Sequence, residues 1–258
     1  MNPYNAFAKV NVFLKITGKR GNYHTICSRF VRINNLYDTL WFEDKKNSDF
    51  EIKGNFNCPT KDNTLYKAYI ALLEATQSDK LIAWMQTHAL CVEKRIPSFA
   101  GLGGGSSDAA TFLHLCNDIL ELDLTNETLA KIGEKVGADV PFFVYGYESA
   151  NVSGIGEIVE PFIEPSLEFE INTPNIEIST PCVYQYYRQH LYAPIDEHEA
   201  HRLKQTASID ILRSMSPKEA NDLYSPALGC YRELFEQEGW FFSGSGSSFF
   251  RLKEENNG

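Results

Sequence analysis

Residues 97–107 read Pro-Ser-Phe-Ala-Gly-Leu-Gly-Gly-Gly-Ser-Ser and connect a predicted strand to a predicted helix. Four of the five residues from Gly101 to Gly105 are glycines, and each costs about 0.5–1 kcal/mol of chain entropy relative to alanine. Glycines are needed where backbone N–H groups closely approach a phosphate, and the N-terminus of a helix adds about half a positive charge there. The stretch therefore predicts an anion site built from backbone, and a flexible Gly/Ser turn is the structural alternative.

This glycine loop (residues 97–107) matches neither of the two common nucleotide motifs. No Lys-Ser or Lys-Thr pair follows Gly105, so the loop is not a Walker A motif. Ser106 stands where the dinucleotide fingerprint has its third glycine. Both common nucleotide-binding folds are therefore disfavoured.

The segments on either side of the loop show clear periodicity. Leu90, Val92, Lys94 and Ile96 alternate as in a strand. After Ser107, apolar residues recur at helical spacing, namely Ala109, Phe112, Leu113, Cys116, Ile119 and Leu120. The loop therefore lies between a strand and a helix.

Other segments mix the two periodicities. Residues 6–16 alternate as a half-buried strand, which places Lys9 and Asn11 on one face. Helices are predicted after an Asn63 cap, from an Asn126 cap to Gly137, and near 219–238. Strands and helices without regular βαβ alternation indicate an α+β protein of two lobes.

Composition limits the class of protein. The 258 residues are 43% hydrophobic and carry a formal net charge of -10, so the chain can bury a core, and electrostatic binding to nucleic acid or an anionic membrane is disfavoured. The six cysteines contain no C-x-x-C pair, which favours reduced structural thiols over a zinc site or a disulfide framework. With no signal-peptide pattern and no apolar run of about 18 residues, we expect a soluble cytoplasmic protein.

The glycine loop resembles the second motif of the GHMP small-molecule kinases. Four further segments resemble the same family in the same order: 8–14 (Ala-Lys-Val-Asn-Val-Phe-Leu), Tyr23-His24, 137–143 (Gly-Ala-Asp-Val-Pro-Phe-Phe) and 243–247 (Ser-Gly-Ser-Gly-Ser). The resemblance runs nearly from end to end. It is strongest to the branch of the family that phosphorylates the 2-hydroxyl of 4-diphosphocytidyl-2-C-methyl-D-erythritol, in the non-mevalonate route to isoprenoid precursors.

The resemblance implies a fold of two α+β lobes with the active site in a cleft between them. We expect an ATP-binding lobe at residues 1–154 and a lobe that completes the substrate site at residues 155–258. ATP and Mg²⁺ are the implied cofactors, a small molecule is the implied partner, and the protein is expected as a monomer or homodimer. Asp108 could contact Mg²⁺, but some members of the family do without a carboxylate at this position, so no metal ligand is assigned.

The family also implies roles for individual residues. Asp139 matches the catalytic base and Lys9 its cationic partner, which would favour the ionised carboxylate, so we expect their side chains to meet. The ATP site is assigned to Pro97, Ala100, Gly101, Leu102, Gly103, Gly104, Gly105, Ser106, Ser107, Asn63 and Leu65. The substrate site is assigned to Asn11, Tyr23, His24, Thr180 and Tyr184, and the phosphate-proximal turn to Gly244, Ser245 and Gly246.

Each assignment has a structural alternative. Asp139 is also typical of a turn or capping residue, and Lys9 of a solvated strand face. Asn63 and Leu65 are equally well explained as a helix cap and a core leucine. Phe99 departs from the family, because it occupies a position that usually holds a small residue.

Two other functions stay open. One is another GHMP kinase, of the homoserine or mevalonate type, against which the aromatic residues Tyr23 and Tyr184 argue because a small alcohol offers no ring to stack. The other is a catalytically inactive nucleotide-binding protein, against which the presence of both Lys9 and Asp139 argues.

Overall fold

A computed structural model describes residues 2–46 and 50–253, and the chain groups into two compact units. Unit 1 comprises the chain up to Ala8, then Asn34–Ser98 and Gly103–Gly146. Unit 2 comprises Lys9–Ile33, Phe99–Leu102 and the chain from Tyr147 onward. These units are discontinuous in sequence, whereas the expected lobes at 1–154 and 155–258 are continuous. The lobe assignment therefore stays a prediction.

Two long strands contribute residues to both units. Strand β1 covers Tyr4–Arg20 and β2 covers Tyr23–Asp44. In unit 1, the end of β2 pairs antiparallel with β4 (His88–Glu93), with Trp41 opposite Cys91. The short strand β3 (Ile52–Lys53) pairs with β4 in parallel.

The helices of unit 1 pack around one apolar core. They are α1 (Thr64–Thr76), α2 (Asp79–Thr87), α3 (Gly104–Leu120), α4 (Asn126–Glu134) and α5 (Val140–Tyr145), with a 3₁₀ turn at Thr60–Asp62. The predicted face of α3 is buried in that core at Ala109, Phe112, Leu113, Cys116 and Leu120. Burying these side chains orients α3 and therefore the backbone at its start, from Gly104.

Of the two helix N-caps predicted in unit 1, Asn63 is confirmed and Asn126 is wrong. The Asn63 side chain accepts a hydrogen bond from the Leu65 N–H at 2.9 Å, as expected of a helix cap. Asn126 is the first residue of α4 rather than its cap, because the Thr125 side chain accepts from the Thr128 N–H instead. That helix also ends at Glu134, before Gly137.

Unit 2 contains two sheets. In the first, the start of β2 pairs antiparallel with β5 (Ser149–Gly154), which pairs with β6 (Ile158–Pro161). In the second, β9 (Phe249–Leu252) lies between β7 (Phe169–Asn172) and β8 (Phe241–Phe242).

Helices complete unit 2. They are α6 (Thr180–Tyr186), which continues into a π turn at Tyr187–Leu191, then α7 (Glu197–Gln205), α8 (Ser208–Ser214), α9 (Pro217–Ala220) and α10 (Tyr224–Cys230). The helix predicted near 219–238 is therefore two short helices, because Asn221 and Tyr231 adopt extended backbone angles. The mixed strand and helix content confirms the α+β class. Among the described residues, no helix is both long enough and apolar enough to span a bilayer.

Candidate active site

The glycine loop uses left-handed backbone where its glycines predict it. Gly101 and Gly103 both have φ of +73°, and Gly103 is the cap residue of α3. A Cβ on Gly101 would lie 2.1 Å from the Ser243 carbonyl oxygen, so this position accepts only glycine without movement of backbone. Phe99 is also left-handed, with φ of +53°, and its side chain is exposed.

At the start of α3, few side-chain atoms cover the backbone N–H donors of the first turn. The first N–H groups of any helix lack partners within it, and the first turn of α3 contains no acidic residue. Gly105 packs beside Thr64, whose Oγ1 would lie 3.2 Å from an added Cβ. These features fit an anion bound by backbone N–H groups and the helix dipole.

A buried polar cluster surrounds the Gly101 carbonyl in unit 2. The Lys9 ammonium, buried from solvent, donates to Asn11 Oδ1 at 2.6 Å and to the Gly101 carbonyl at 3.0 Å. Asn11 Nδ2 donates to Ser28 Oγ at 3.0 Å. The prediction that Lys9 and Asn11 share one face of β1 is confirmed, and the solvated-face alternative for Lys9 is wrong.

The turn at Gly244–Gly246 packs against Gly101. Ser243 Oγ donates to the Gly101 carbonyl at 3.0 Å, and a Cβ on Gly244 would lie 3.2 Å from Asn11 Oδ1. Ser245 Oγ shares a hydrogen bond of 2.6 Å with Thr180 Oγ1. Thus the turn connects the polar cluster to the first residue of α6.

Asn221 holds that turn in place and was not found by sequence analysis. Its buried Nδ2 donates to the carbonyls of Phe242 at 2.8 Å and Gly244 at 2.9 Å. A single asparagine between two helices carries no motif, so only the structure identifies this contact.

His24 lies in an aromatic cluster with Tyr184, Tyr187 and Tyr192, here called the His24 cluster. The imidazole stacks on Tyr184 with 5.3 Å between centroids and 21° between planes, and Tyr187 meets it edge-on. His24 is 5% exposed, and its Nε2 has no hydrogen-bond partner. A buried polar atom without a partner costs about 1–3 kcal/mol, so Nε2 is a candidate for contact with a ligand.

The surroundings of His24 favour its neutral form. Burial lowers the pKa of the imidazole, and the positive charges of Arg188 and Lys19 lower the pKa further. A neutral imidazole has one donor and one acceptor, which suits recognition of an uncharged base edge. Tyr23, next in the chain, has 66% of its surface exposed and is accessible for stacking.

Unit 1 contains a half-buried lysine that is paired with two carboxylates. Lys94 Nζ donates to Asp108 Oδ2 at 2.7 Å and also binds Asp38, which accepts the Ile96 N–H at 2.8 Å. We call these three side chains the Lys94 clamp. Burial raises the pKa of Asp108 to about 7, Asp38 adds to the rise, and Lys94 opposes it. Sequence analysis did not single out this clamp, although a lysine on the apolar side of an alternating strand was a signal for it.

Three further assigned residues, Asp139, Leu65 and Asn63, lie in unit 1. Asp139 lies in the turn before α5 and is half-buried, which agrees with the turn alternative, but its side chain makes no capping hydrogen bond to that helix. Leu65 is fully buried and Asn63 caps α1, so both have the structural roles that the sequence left open. The expected meeting of Asp139 with Lys9 stays a prediction. No group of three or more potential metal-binding side chains occurs in residues 2–46 and 50–253.

Known proteins resemble this chain over its full length. The family model for the GHMP kinases N terminal domain matches residues 63–147. A 4-diphosphocytidyl-2-C-methyl-D-erythritol kinase from Sulfurimonas denitrificans is 56% identical, covering 100% of this chain and 99% of the relative. A protein of the same name from Sulfurovum is 48% identical over 98% of this chain and 100% of the relative.

A solved structure agrees with these relatives. The crystal structure of a 4-(cytidine 5'-diphospho)-2C-methyl-D-erythritol kinase has a TM-score of 0.75 and 30% identity, covering 98% of this chain and 90% of that one. This likeness confirms the expected fold. From its motifs, its full-length relatives and its fold, the chain belongs to the GHMP kinase family.

Proposed function

We propose that this protein is an ATP-dependent kinase that transfers the γ-phosphoryl group to the 2-hydroxyl of 4-diphosphocytidyl-2-C-methyl-D-erythritol, here called the diphosphocytidyl substrate. The relatives' names support the substrate. The structural observation that carries the proposal is the buried, unpartnered Nε2 of His24, stacked on Tyr184. A pyrimidine ring offers both the hydrogen-bonding edge and the aromatic face that such a site requires.

The glycine loop is the proposed ATP site. Gly101 and Gly103 supply the backbone shape, and residues Gly104–Ser107 begin α3 with N–H groups directed along its axis. Mg²⁺ is proposed to arrive with ATP as part of the substrate. That source suits a protein without a dedicated metal cluster in its described residues, since Mg²⁺ is commonly held by substrate phosphates and few side chains.

Asp139 and Lys9 are the proposed catalytic residues. The Asp139 carboxylate accepts the proton of the substrate hydroxyl as its oxygen attacks the γ-phosphate. Lys9 is the proposed cation that favours the carboxylate form of Asp139 and balances negative charge on the transferred group. Its ammonium is already fixed by Asn11 and Gly101. A fixed charge costs little reorganisation during the reaction.

The substrate half is proposed to use side chains of unit 2. Tyr23 and Tyr184 stack on the cytosine, and His24 binds its edge. Asn11 and Thr180 bind the polar groups of the erythritol, and Gly244, Ser245 and Gly246 lie next to the phosphates. The lobes at 1–154 and 155–258, a cytoplasmic location and a monomeric or homodimeric state remain predictions.

An ADP-release assay with the Asp139→Asn variant tests the proposal. We expect wild-type protein to release ADP when given ATP, Mg²⁺ and the diphosphocytidyl substrate. The variant should lose turnover by about 100-fold or more, because the base is removed, while its Kd for ATP changes by less than about twofold.

Asp123→Asn is the matched control. Asp123 is exposed and left-handed, with φ of +54°, a conformation that asparagine also adopts, so this variant should retain wild-type turnover. Near-normal turnover of Asp139→Asn would remove Asp139 from the role of base. Absence of ADP release from the folded wild-type protein would contradict the proposed function.

A further inference from the structure

Two cysteines of unit 2 lie side by side, although they are 48 positions apart in sequence. Cys182 lies in α6 and is exposed, and Cys230 is the last residue of α10 and is half-buried. The Cys182 thiol donates to the Cys230 sulfur at 3.4 Å. A disulfide requires about 2.05 Å between sulfurs, so the pair must approach by only about 1.3 Å.

Contacts next to this pair hold α6 and α10 together. The Ser179 N–H, just before α6, donates to the Tyr231 hydroxyl, just after α10, at 2.7 Å. Gly229 packs against the Tyr186 ring so closely that an added Cβ would lie 2.4 Å from ring carbon Cζ. These contacts keep the two helix ends adjacent, so a small shift of Cys182 toward α10 joins the sulfurs.

The other cysteines differ from this pair. Cys27, Cys91 and Cys116 are buried, and burial raises the pKa of each thiol, which lowers its reactivity. Cys58 is exposed and forms no disulfide within residues 2–46 and 50–253. Within the described residues, Cys182 is therefore both exposed and next to a second cysteine sulfur.

We propose that Cys182 and Cys230 form a redox-sensitive pair that peroxide closes to a reversible disulfide, and that the disulfide weakens binding of the cytidine group. The Cys182 thiol loses its proton, and the thiolate attacks one oxygen of hydrogen peroxide. The O–O bond breaks to give a sulfenic acid and hydroxide, and the hydroxide takes up the proton that the thiol lost and leaves as water. The Cys230 thiol then loses its proton, and its sulfur attacks the Cys182 sulfur and expels hydroxide, which leaves as a second water. Two electrons pass from the sulfurs to the peroxide, and a dithiol reductant reverses the change.

The order of the two sulfurs follows from their surroundings. Burial, together with the neighbouring Cys182 thiol, raises the pKa of Cys230 to about 12. Cys230 therefore stays protonated at neutral pH, and the exposed Cys182 reacts first. Closure of the disulfide should become faster as the pH rises from 7 to 9, because more Cys230 is then ionised.

The pair is connected to the substrate residues through α6. Thr180 and Tyr184 flank Cys182 on this helix, and they contact Ser245 and His24. Drawing Cys182 toward α10 displaces the start of α6 relative to both contacts. This regulatory half of the inference rests on the proposed function, since it requires cytidine to bind at the His24 cluster.

A peptide map under non-reducing conditions tests the disulfide without any activity. The full chain is treated with millimolar hydrogen peroxide, blocked with N-ethylmaleimide and digested. We expect one crosslinked species that contains Cys182 and Cys230, with a mass lower by two hydrogens, and its loss after dithiothreitol. Cys230→Ser should abolish the crosslink and Cys58→Ser should leave it unchanged. Separate peptides, or irreversible oxidation of Cys182 without a crosslink, would overturn the inference.

Titration calorimetry with cytidine diphosphate tests whether the disulfide weakens binding of the cytidine group. We expect the Kd of the oxidised protein to be at least about threefold higher than that of the reduced protein, with the Kd for ATP within about twofold. Equal Kd values for cytidine diphosphate in the two redox states would overturn the regulation. If the reduced, folded protein binds no cytidine diphosphate, the proposed function is contradicted, and so is the regulation that depends on it. The peptide map tests formation of the disulfide independently of this result.

Discussion

The glycine loop is formed by backbone groups, whereas the His24 cluster is formed by side chains. At the loop, the backbone makes the site, because Gly101 and Gly103 take left-handed conformations that bring main-chain groups forward. At the His24 cluster, side chains from distant parts of unit 2 make the site, with Tyr184 stacked on His24 across 160 positions of sequence. The loop is local in the chain, and the cluster exists only after folding.

The two regions also differ in how their buried polar side chains are held. Near the start of α3, Lys94 binds both Asp38 and Asp108 Oδ2, while Asp108 Oδ1 has no hydrogen-bond partner. In the His24 cluster, the imidazole Nε2 has no hydrogen-bond partner. The comparison teaches that opposite charges bind one another near the loop, whereas aromatic rings surround the polar group of the cluster, and that each region keeps one buried polar atom without a partner.

The largest expected effect is that of Gly101→Ala. The new Cβ would meet the Ser243 carbonyl at 2.1 Å, in a backbone conformation that disfavours side chains, so strain and displacement of the turn act together. We expect the free energy of unfolding to fall by about 2–4 kcal/mol and turnover to fall by about 100-fold or more. Urea denaturation and ADP release measure these two effects.

Gly21→Ala is the control for backbone strain alone. Gly21 has φ of +61°, but an added Cβ would meet no atom within 4 Å. This variant should lose only about 1 kcal/mol and retain turnover. Equal effects of the two substitutions would show that close packing at Gly101 has no importance of its own.

A smaller effect is expected from Asp108→Asn, and it should depend on pH. In the folded state, burial raises the pKa of Asp108 to about 7, from an ordinary value of about 3.9. Between these values the folded state holds a proton that the unfolded state has lost, so this group's contribution to stability falls as the pH rises. The variant should lack that contribution, so the wild-type protein should lose stability relative to it by up to about 1 kcal/mol per pH unit.

Urea denaturation of both proteins at several pH values from 4 to 7.5 measures this difference. A wild-type protein that gains stability relative to Asp108→Asn across this range would show that Lys94 keeps the carboxylate ionised.

The smallest expected effect is that of Phe99→Gly. Relief of the left-handed conformation gains about 1–2 kcal/mol, and the added freedom of the unfolded chain offsets roughly 0.5–1 kcal/mol of it. We expect a net gain of about 0.5 kcal/mol in thermal denaturation. Phe99→Ala removes the same ring but keeps the strained backbone, so it should not stabilise. Stabilisation by both would assign the effect to the exposed ring.

Sequence predicted the local features of the molecule well. The apolar face of α3, the Asn63 cap, and the common face of Lys9 and Asn11 follow from periodicity and residue type within a few positions, and the structure confirms them. The need for glycine at Gly101 is explained by its close approach to Ser243, a residue far away in the chain that no local pattern identifies.

Long-range contacts could not be predicted from sequence in the same way. The end of α10 is set by Tyr231, whose hydroxyl binds the Ser179 N–H, and no helical period contains that information. Asn221 and the pair Cys182 and Cys230 likewise depend on partners far away in the chain. The interpretation of all six cysteines as structural came from spacing alone, and spacing does not show which sulfurs become neighbours.

The most direct test of the central claim compares two acceptors in the ADP-release assay: the diphosphocytidyl substrate and methylerythritol phosphate, which lacks the cytidine group. The account predicts turnover with the first and a kcat/KM at least about 100-fold lower with the second, since the His24 cluster then binds nothing. His24→Ala should reduce that preference while leaving the KM for ATP nearly unchanged. Equal kcat/KM for the two acceptors in the wild-type protein would contradict the account.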